Sequence, residues 1–131
     1  MMTIPLAIDT DVEQAEGQAE SILELPLVRD DMRLVLFHVF RADDEGADAR
    51  KLNSVAAALE RLEAAGFDVE VEQSSGDAVQ EILDEAARVD ADVVSLAGRK
   101  RSPTGKALFG SVSQDVVLKS DQPVLYETTD D

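Results

Sequence analysis

Apolar and polar positions along the chain switch repeatedly between a period of two and a period near 3.6. Residues 4–8 (Ile-Pro-Leu-Ala-Ile) form a short apolar run ending at Asp9, which predicts a buried first strand. Pro5 lies near its start, where a missing N–H is tolerated. Thr10-x-x-Glu13 has the spacing of a capping box, and Val12, Ala15, Ala19, Ile22 and Leu23 follow at helical spacing. Gly17 weakens this helix and Leu25-Pro26 ends it. Residues 33–40 are almost continuously apolar, as in a strand covered on both faces. After the acidic loop Asp43-Asp44-Glu45-Gly46, a stripe of Leu52, Val55, Ala56, Leu59 and Leu62 predicts a second helix, closed by Gly66 at the C′ position. Residues 67–73 alternate, the pattern of a half-exposed strand near an edge. Asp77-x-x-Gln80 caps a third helix whose expected buried face is Val79, Ile82, Leu83, Ala86 and Ala87. Residues 92–97 predict a fourth strand, and a glycine-containing basic loop then runs from Gly98 to Gly110. A last helix begins near Ser111 with Val112, Val116, Val117 and Leu118. Residues 123–127 predict a fifth strand, and the polar tail beyond it should fray.

Strands alternating with helices, with no linker or repeat, imply one α/β domain over residues 1–131. Right-handed crossovers then give a parallel sheet with helices on both faces. Such sheets bind ligands beyond the carboxyl ends of their strands, at the topological switch point. The first and fourth strands, ending at Asp9 and Ala97, are the natural pair to flank it.

Composition narrows the chemistry. There is no cysteine, so disulfides, thiolate metal sites and a thiol nucleophile are excluded; the single histidine, His38, excludes a His-rich cluster. The formal charge is -16, from 28 acids against 12 bases, which disfavours nucleic acid and anionic lipid as partners. Of the bases, four are lysine and eight arginine. A strongly acidic, lysine-poor chain suits a salt-rich cytoplasm, where screening relieves self-repulsion; the competing reading is an ordinary acidic protein. No apolar run reaches the roughly 20 residues of a membrane span. The first residues lack the basic and apolar regions of a signal peptide, so a cytoplasmic location is expected.

One segment departs from this acidity. The 22 positions between Asp92 and Asp115 hold no acid and four bases, Arg99, Lys100, Arg101 and Lys106. At the chain's average composition roughly five acids would be expected there. The segment joins glycines, hydroxyls and cations directly to a helix N-terminus, whose free N–H groups and partial positive charge suit a phosphate. Two structural readings compete: a solvated turn pairing with acids elsewhere, or a simple helix start with Ser111-x-x-Gln114 as capping box. Thr104-Gly105-Lys106 is not a phosphate-binding P-loop, because Ala107 follows the lysine and the glycine spacing is wrong. Asp9 reads equally as a ribose or adenine contact and as the start of a capping turn. His38 reads as a packed or hydrogen-bonded core residue, since nothing marks it as a general base.

Taken together, several landmarks resemble the universal stress protein family across essentially the full length. They are Asp9 after the first strand, Phe37-His38-Val39, Gly76-Asp77-Ala78, Val89-Asp90-Ala91-Asp92-Val93-Val94, Gly110-Ser111-Val112-Ser113 and Gln122-Pro123-Val124-Leu125. The acidity would make it a haloarchaeal-type member. The resemblance implies a Rossmann-like three-layer sandwich with a five-stranded parallel sheet of order 3-2-1-4-5. It also implies a homodimer paired through the last strand. Family members that bind ATP resemble G-x-x-G-x(9)-G-[ST] at the fourth-strand loop. Laid on this chain, that pattern keeps Gly110 and Ser111 but puts Ala97 and Lys100 at the earlier glycines. Lys100 matters if the backbone there needs positive φ or close approach to a phosphate.

The function this implies is a small stress-linked regulatory protein binding an adenine nucleotide, ATP above all. Asp9 would bond the ribose or adenine and Val39 would pack on the base. Ala97, Gly98 and the turn Gly110-Ser111-Val112-Ser113 would border the phosphates, with Arg99, Arg101 and Lys106 as countercharge. Mg²⁺ could accompany the triphosphate, though no ligand cluster is dedicated to it. No nucleophile or acid/base pair stands out, so an enzyme is not expected. The alternative is a nucleotide-free signalling or scaffold homodimer, its pocket closed by the altered glycines and its basic loop meeting an acidic protein partner.

Self-repulsion at this charge has a measurable consequence. The melting temperature should be lower in dilute buffer than in molar KCl, measured by circular dichroism. An unchanged melting temperature would remove the salt-adapted reading.

Overall fold

A computed structural model describes residues 1–44, 46–99 and 110–129, with only the main chain of Arg99. Five strands are present: β1 Met2–Ala7, β2 Met32–Phe40, β3 Val69–Ser75, β4 Val94–Arg99 and β5 Val124–Thr129. They alternate with four helices, α1 Val12–Glu24, α2 Asn53–Ala64, α3 Ala78–Arg88 and α4 Ser111–Lys119. The sheet is parallel, as the alternation of strands and helices predicted, and its order β3-β2-β1-β4-β5 is the one the family resemblance implied. Two apolar layers cover it. One packs Ala15, Ala19 and Ile22 of α1 with Val55, Ala58 and Leu62 of α2 on Ile4, Leu6, Leu34 and Leu36. The other packs Ile82 and Ala86 of α3 with Val116 of α4 on Val35, Phe37, Val94 and Leu96. Among the described residues, no helix is long and apolar enough to cross a membrane.

The sheet is uneven at its centre. β1 pairs with β2 at six successive positions, yet with β4 the register holds a single pair, Leu6 with Ser95. Ladder parity explains part of this. Ile8 N–H donates to Phe37 C=O, so even-numbered residues of β1 turn their main-chain groups toward β2 and odd ones toward β4. Pro5 is odd, and its missing N–H therefore faces β4. Side chains make up the loss. The Thr3 N–H donates to Asp92 Oδ2 at 2.8 Å at one end of the seam. At the other end Gln18 of α1, only 1% exposed, inserts its amide. Its Nε2 lies 3.2 Å from the Ala7 carbonyl oxygen, 3.4 Å from that of Ser95 and 3.2 Å from Ser95 Oγ. Beside the Leu6–Ser95 pair, a side chain thus ties the carboxyl end of β1 to the second residue of β4.

Local details correct the sequence reading in places. Asp11, not Thr10, caps α1, accepting from the Gln14 N–H at 3.0 Å. The shift follows from Asp9, whose Oδ1 already takes the Thr10 N–H. On α2, Ala58 is buried whereas Ala56 faces solvent; on α3, Glu85 is buried and Ala87 exposed, because Arg88 neutralises Glu85 through two hydrogen bonds of 2.7 and 2.8 Å. α4 buries only Ser113 and Val116, leaving Val112, Val117 and Leu118 exposed. Its N-cap is Gly110 without a side-chain hydrogen bond, and Ser111 is already inside the helix, so the capping box there does not form. The strands run past the expected ends, β3 to Ser75, β4 to Arg99 and β5 to Thr129. As expected, Asp77 caps α3 through the Gln80 N–H, Gly66 has φ of 93° after α2, and β3 is an edge strand.

Gly98 is the glycine whose missing side chain matters most near the end of β4. A Cβ there would lie 1.8 Å from the Tyr126 hydroxyl oxygen and 2.8 Å from its Cζ. The β5 tyrosine leans over Gly98, and only a glycine admits it. Gly98→Ala should destabilise the fold by about 1–3 kcal/mol in urea melts. Most of that cost should disappear in a Tyr126→Leu background; an equal cost in both would show that the tyrosine is not the obstacle.

Candidate functional site

Where β1 and β4 part, a cleft of about 190 Å³ opens at the carboxyl edge of the sheet. Ala7, Ile8 and Asp9 bring the end of β1 to it, and Phe37, His38 and Val39 the end of β2. Leu96 and Ala97 of β4 form its floor. Ala78 and Ile82 of α3 and Val112 and Ser113 of α4 close the side. The walls are mainly apolar, with a few polar groups at the ends, as in most small-molecule sites. The position is the switch point expected for this topology.

The sequence-expected residues divide into three groups. Asp9, Val39, Ala97, Val112 and Ser113 all line the cleft. Asp9 makes the turn contact and also stands at the cleft. Its Oδ1 accepts the Thr10 N–H at 2.8 Å, a local turn contact, while the exposed carboxylate also borders the cleft. Ser113 is buried with its Oγ donating toward the Ala97 carbonyl at 3.5 Å, tying α4 to β4. Gly98, Gly110 and Ser111 do not line the cleft: Gly98 is covered by Tyr126, and Gly110 and Ser111 are exposed at the start of α4. Arg101 and Lys106 lie outside the described residues, as does the Arg99 side chain and the departure at Lys100.

Val39 offers more than a hydrophobic surface. Phe37 C=O accepts from Ile8 N–H, so the N–H and C=O of Val39, two residues on, also turn to the β1 side. The β1–β2 register ends at Ala7 with Phe37, one step earlier. Val39 therefore presents its main-chain groups beyond the last rung of the ladder, at the cleft. Beside it, His38 is 6% exposed, with Nδ1 2.6 Å from the Ile8 carbonyl oxygen and its ring edge-on to Phe40. It is the hydrogen-bonded core histidine the sequence suggested.

Sequence reasoning missed the apolar walls supplied by Phe37, Ala78, Ile82 and Leu96. Ile82 and Leu96 carried a signal, their place in apolar periods, but that signal says buried and cannot separate core from pocket. Electrostatically, Asp9 is the one formally charged residue among the described lining. The first turn of α4 has no side-chain acceptor for its N–H groups, so that corner carries the helix's positive end. Among the described residues no group of three or more carboxylates or histidines is placed to hold a metal ion. A second groove of about 240 Å³ lies between β3 and α3, but Glu72, Glu81, Asp84 and Glu85 line it against a single Arg88. Carboxylates on that scale repel an anion.

Comparison with known proteins agrees with this geometry. The universal stress protein family model matches residues 2–126. The chain is 37% identical over 87 residues to a universal stress protein of Mycolicibacterium smegmatis, covering 64% of this chain and 67% of that one. It is 34% identical over 71 residues to the stress response protein NhaX of Bacillus subtilis, covering 54% of this chain and 43% of that one. Among solved structures, a universal stress protein from Archaeoglobus fulgidus superposes with a TM-score of 0.66 at 29% identity, over 98% of this chain and 99% of the other. A second from that organism, in complex with dAMP, gives 0.63 at 23% identity, over 98% of both chains. One from Arabidopsis thaliana with AMP bound gives 0.72 at 18% identity, over 98% of this chain and 92% of the other.

Proposed function

The chain belongs to the universal stress protein family, and from that premise we propose that it is a small stress-linked regulatory protein that binds an adenine nucleotide in the switch-point cleft. The observation that carries this reading is the convergence of Asp9, Val39, Ala97, Val112 and Ser113 on one cavity of about 190 Å³. Two similar folds were solved holding AMP and dAMP, which supports an adenine nucleotide as the ligand class. The base would lie against Val39 and Ile82, and Asp9 would accept a hydrogen bond from the ribose or the adenine. The phosphates would run toward the first turn of α4, where the helix's positive end favours an anion. ATP is our preferred ligand because Arg99, Arg101 and Lys106 add countercharge for a longer phosphate chain. Mg²⁺ would arrive on the triphosphate rather than on ligands of its own. The protein would act by binding, not by turnover, since among the described lining residues no nucleophile is paired with a base and the His38 imidazole is engaged by the Ile8 carbonyl.

Gly110 supplies the test. A Cβ on it meets no atom of the described residues within 4 Å, which leaves room there for a larger residue. Aspartate is also a favoured N-cap, so Gly110→Asp should leave the melting temperature unchanged or slightly raised. It would place a negative charge where the phosphates belong. Isothermal titration in high salt should show AMP and ATP binding to the wild type and at least roughly ten-fold weaker binding to the variant. Arg101→Ala should weaken ATP more than adenosine, since only the triphosphate offers that side chain a charge. Wild type that binds neither nucleotide would leave the scaffold reading in its place.

A homodimer through β5 belongs to the same proposal. β5 is an edge strand whose Val124, Leu125 and Tyr126 are only partly buried, and α4 before it leaves Leu118 73% exposed. An open edge of this kind invites a second strand. Light scattering at micromolar concentration in high salt should return twice the 14.1 kDa chain mass; the single-chain mass would exclude it.

A further inference from the structure

In a regular parallel ladder a residue facing the neighbouring strand makes two bonds, donating to one residue and accepting from the residue two further on. Ile8 completes only the first of these with β2. Its N–H donates to Phe37 C=O at 2.8 Å, which sets it opposite His38, and the second bond should come from the Val39 N–H. That bond is absent. The Ile8 carbonyl instead lies 2.6 Å from His38 Nδ1. A carbonyl oxygen only accepts, so Nδ1 carries the proton and donates. The imidazole stands in for the neighbouring backbone N–H.

This substitution takes place on the face of the sheet away from α3 and α4. His38 shares its side of β2 with Leu36 and Phe40, both in the layer under α1 and α2, and its ring meets Phe40 at 4.5 Å between centroids. It therefore reaches the Ile8 carbonyl from the α1–α2 side of the sheet, at the edge of the cleft that it lines with Val39.

We propose that His38 is a positioning residue that keeps the base end of the cleft open. By occupying the Ile8 carbonyl it stops the β1–β2 ladder from closing one rung further. The Val39 N–H then remains available as a donor to a ring nitrogen of a bound purine. It also holds the peptide between Ile8 and Asp9, from which the Asp9 carboxylate reaches the cleft. The inference rests on the nucleotide reading for its ligand, but the ladder geometry can be tested without one.

The experiment compares wild type with His38→Asn and His38→Gln. The asparagine amide can set its nitrogen where Nδ1 stands; the glutamine amide reaches instead to the place of Nε2. Both variants are polar, and asparagine is the smaller, so a general loss of packing would harm His38→Asn more than His38→Gln, the reverse of the order expected here. In wild type, long-range nitrogen–proton spectra should show the Nδ1–H tautomer, and the Val39 amide should exchange faster than that of Phe37. His38→Asn should behave as wild type. In His38→Gln the released Ile8 carbonyl should pair with Val39, slowing that amide's exchange, and AMP affinity should fall roughly three- to ten-fold, the scale of one net hydrogen bond.

An Nε2–H tautomer, a protected Val39 amide in wild type, or equal amide exchange in the two variants would overturn the proposal. So would equal AMP affinity in the two variants, provided that wild type binds AMP. If wild type binds no AMP, the nucleotide reading fails, and the tautomer and exchange measurements still decide the role of His38.

Discussion

The parting of β1 from β4 is the constraint on which the site depends. A parallel sheet covered on both faces normally closes every internal seam, because an unpaired buried main-chain group costs about 1–3 kcal/mol. Here Pro5 removes one donor from the seam, and the ladder keeps one register pair. The topology then sends the chain to opposite sides at this seam, with α1 after β1 and the 100–110 segment leading to α4 after β4. The crevice follows from the strand order; the proline and the side-chain bridges let it reach back into the sheet.

Where strands part, side chains from one layer meet the carbonyls at their ends. At the β1–β4 seam Gln18 serves Ala7 and Ser95, and where the β1–β2 ladder stops His38 serves Ile8. Gln18 meets this demand at a cost, since its own Oε1 is buried without a partner. Both residues belong to the α1–α2 layer, so the opposite side stays clear for a ligand. Polar residues in an otherwise apolar layer are thus explained by main-chain accounting and need no contact with any ligand.

The element order and the parallel sheet were legible in the sequence because each rests on many residues at once, whereas the strand order came only with the family resemblance. A helix stripe survives one misplaced position: Ala56 was expected inside and Ala58 is, yet α2 stands where it was read. Single-residue assignments had no such redundancy. Thr10 and Asp11 are both good caps, and only the turn made by Asp9 decides between them. Glu85 could not be placed inside from its charge; Arg88, one turn on, makes its burial tolerable. For the cleft, Asp9, Val39, Val112 and Ser113 were named through family resemblance, whereas Gly110 and Ser111, named with them, stand outside it. The apolar walls were not legible, because a residue lining a cleft and one filling a core have the same period. The role of His38 was hidden for another reason. It depends on a ladder bond that fails to form, and register at a strand's last rung is not written in any local pattern.

Charge places the last restriction on how the cleft could work. A carbonyl-rich strand end with Asp9 beside it is poor ground for an anion, and on a chain of formal charge -16 the surrounding field is unfavourable as well. The positive end of one helix offsets only a fraction of a charge. A nucleotide bound as proposed therefore needs the four bases of the 93–114 segment, which is also where acids are missing altogether. In that proposal base recognition and phosphate recognition would be separable in the chain. The first would rest on β1, β2 and α3, through packing and ladder geometry. The second would rest on a segment whose composition is the reverse of the rest of the chain. Salt weakens the second, together with the general repulsion that opposes it, and leaves the first untouched. In such a division adenosine affinity changes little with ionic strength, whereas the added affinity of each phosphate carries the whole salt dependence.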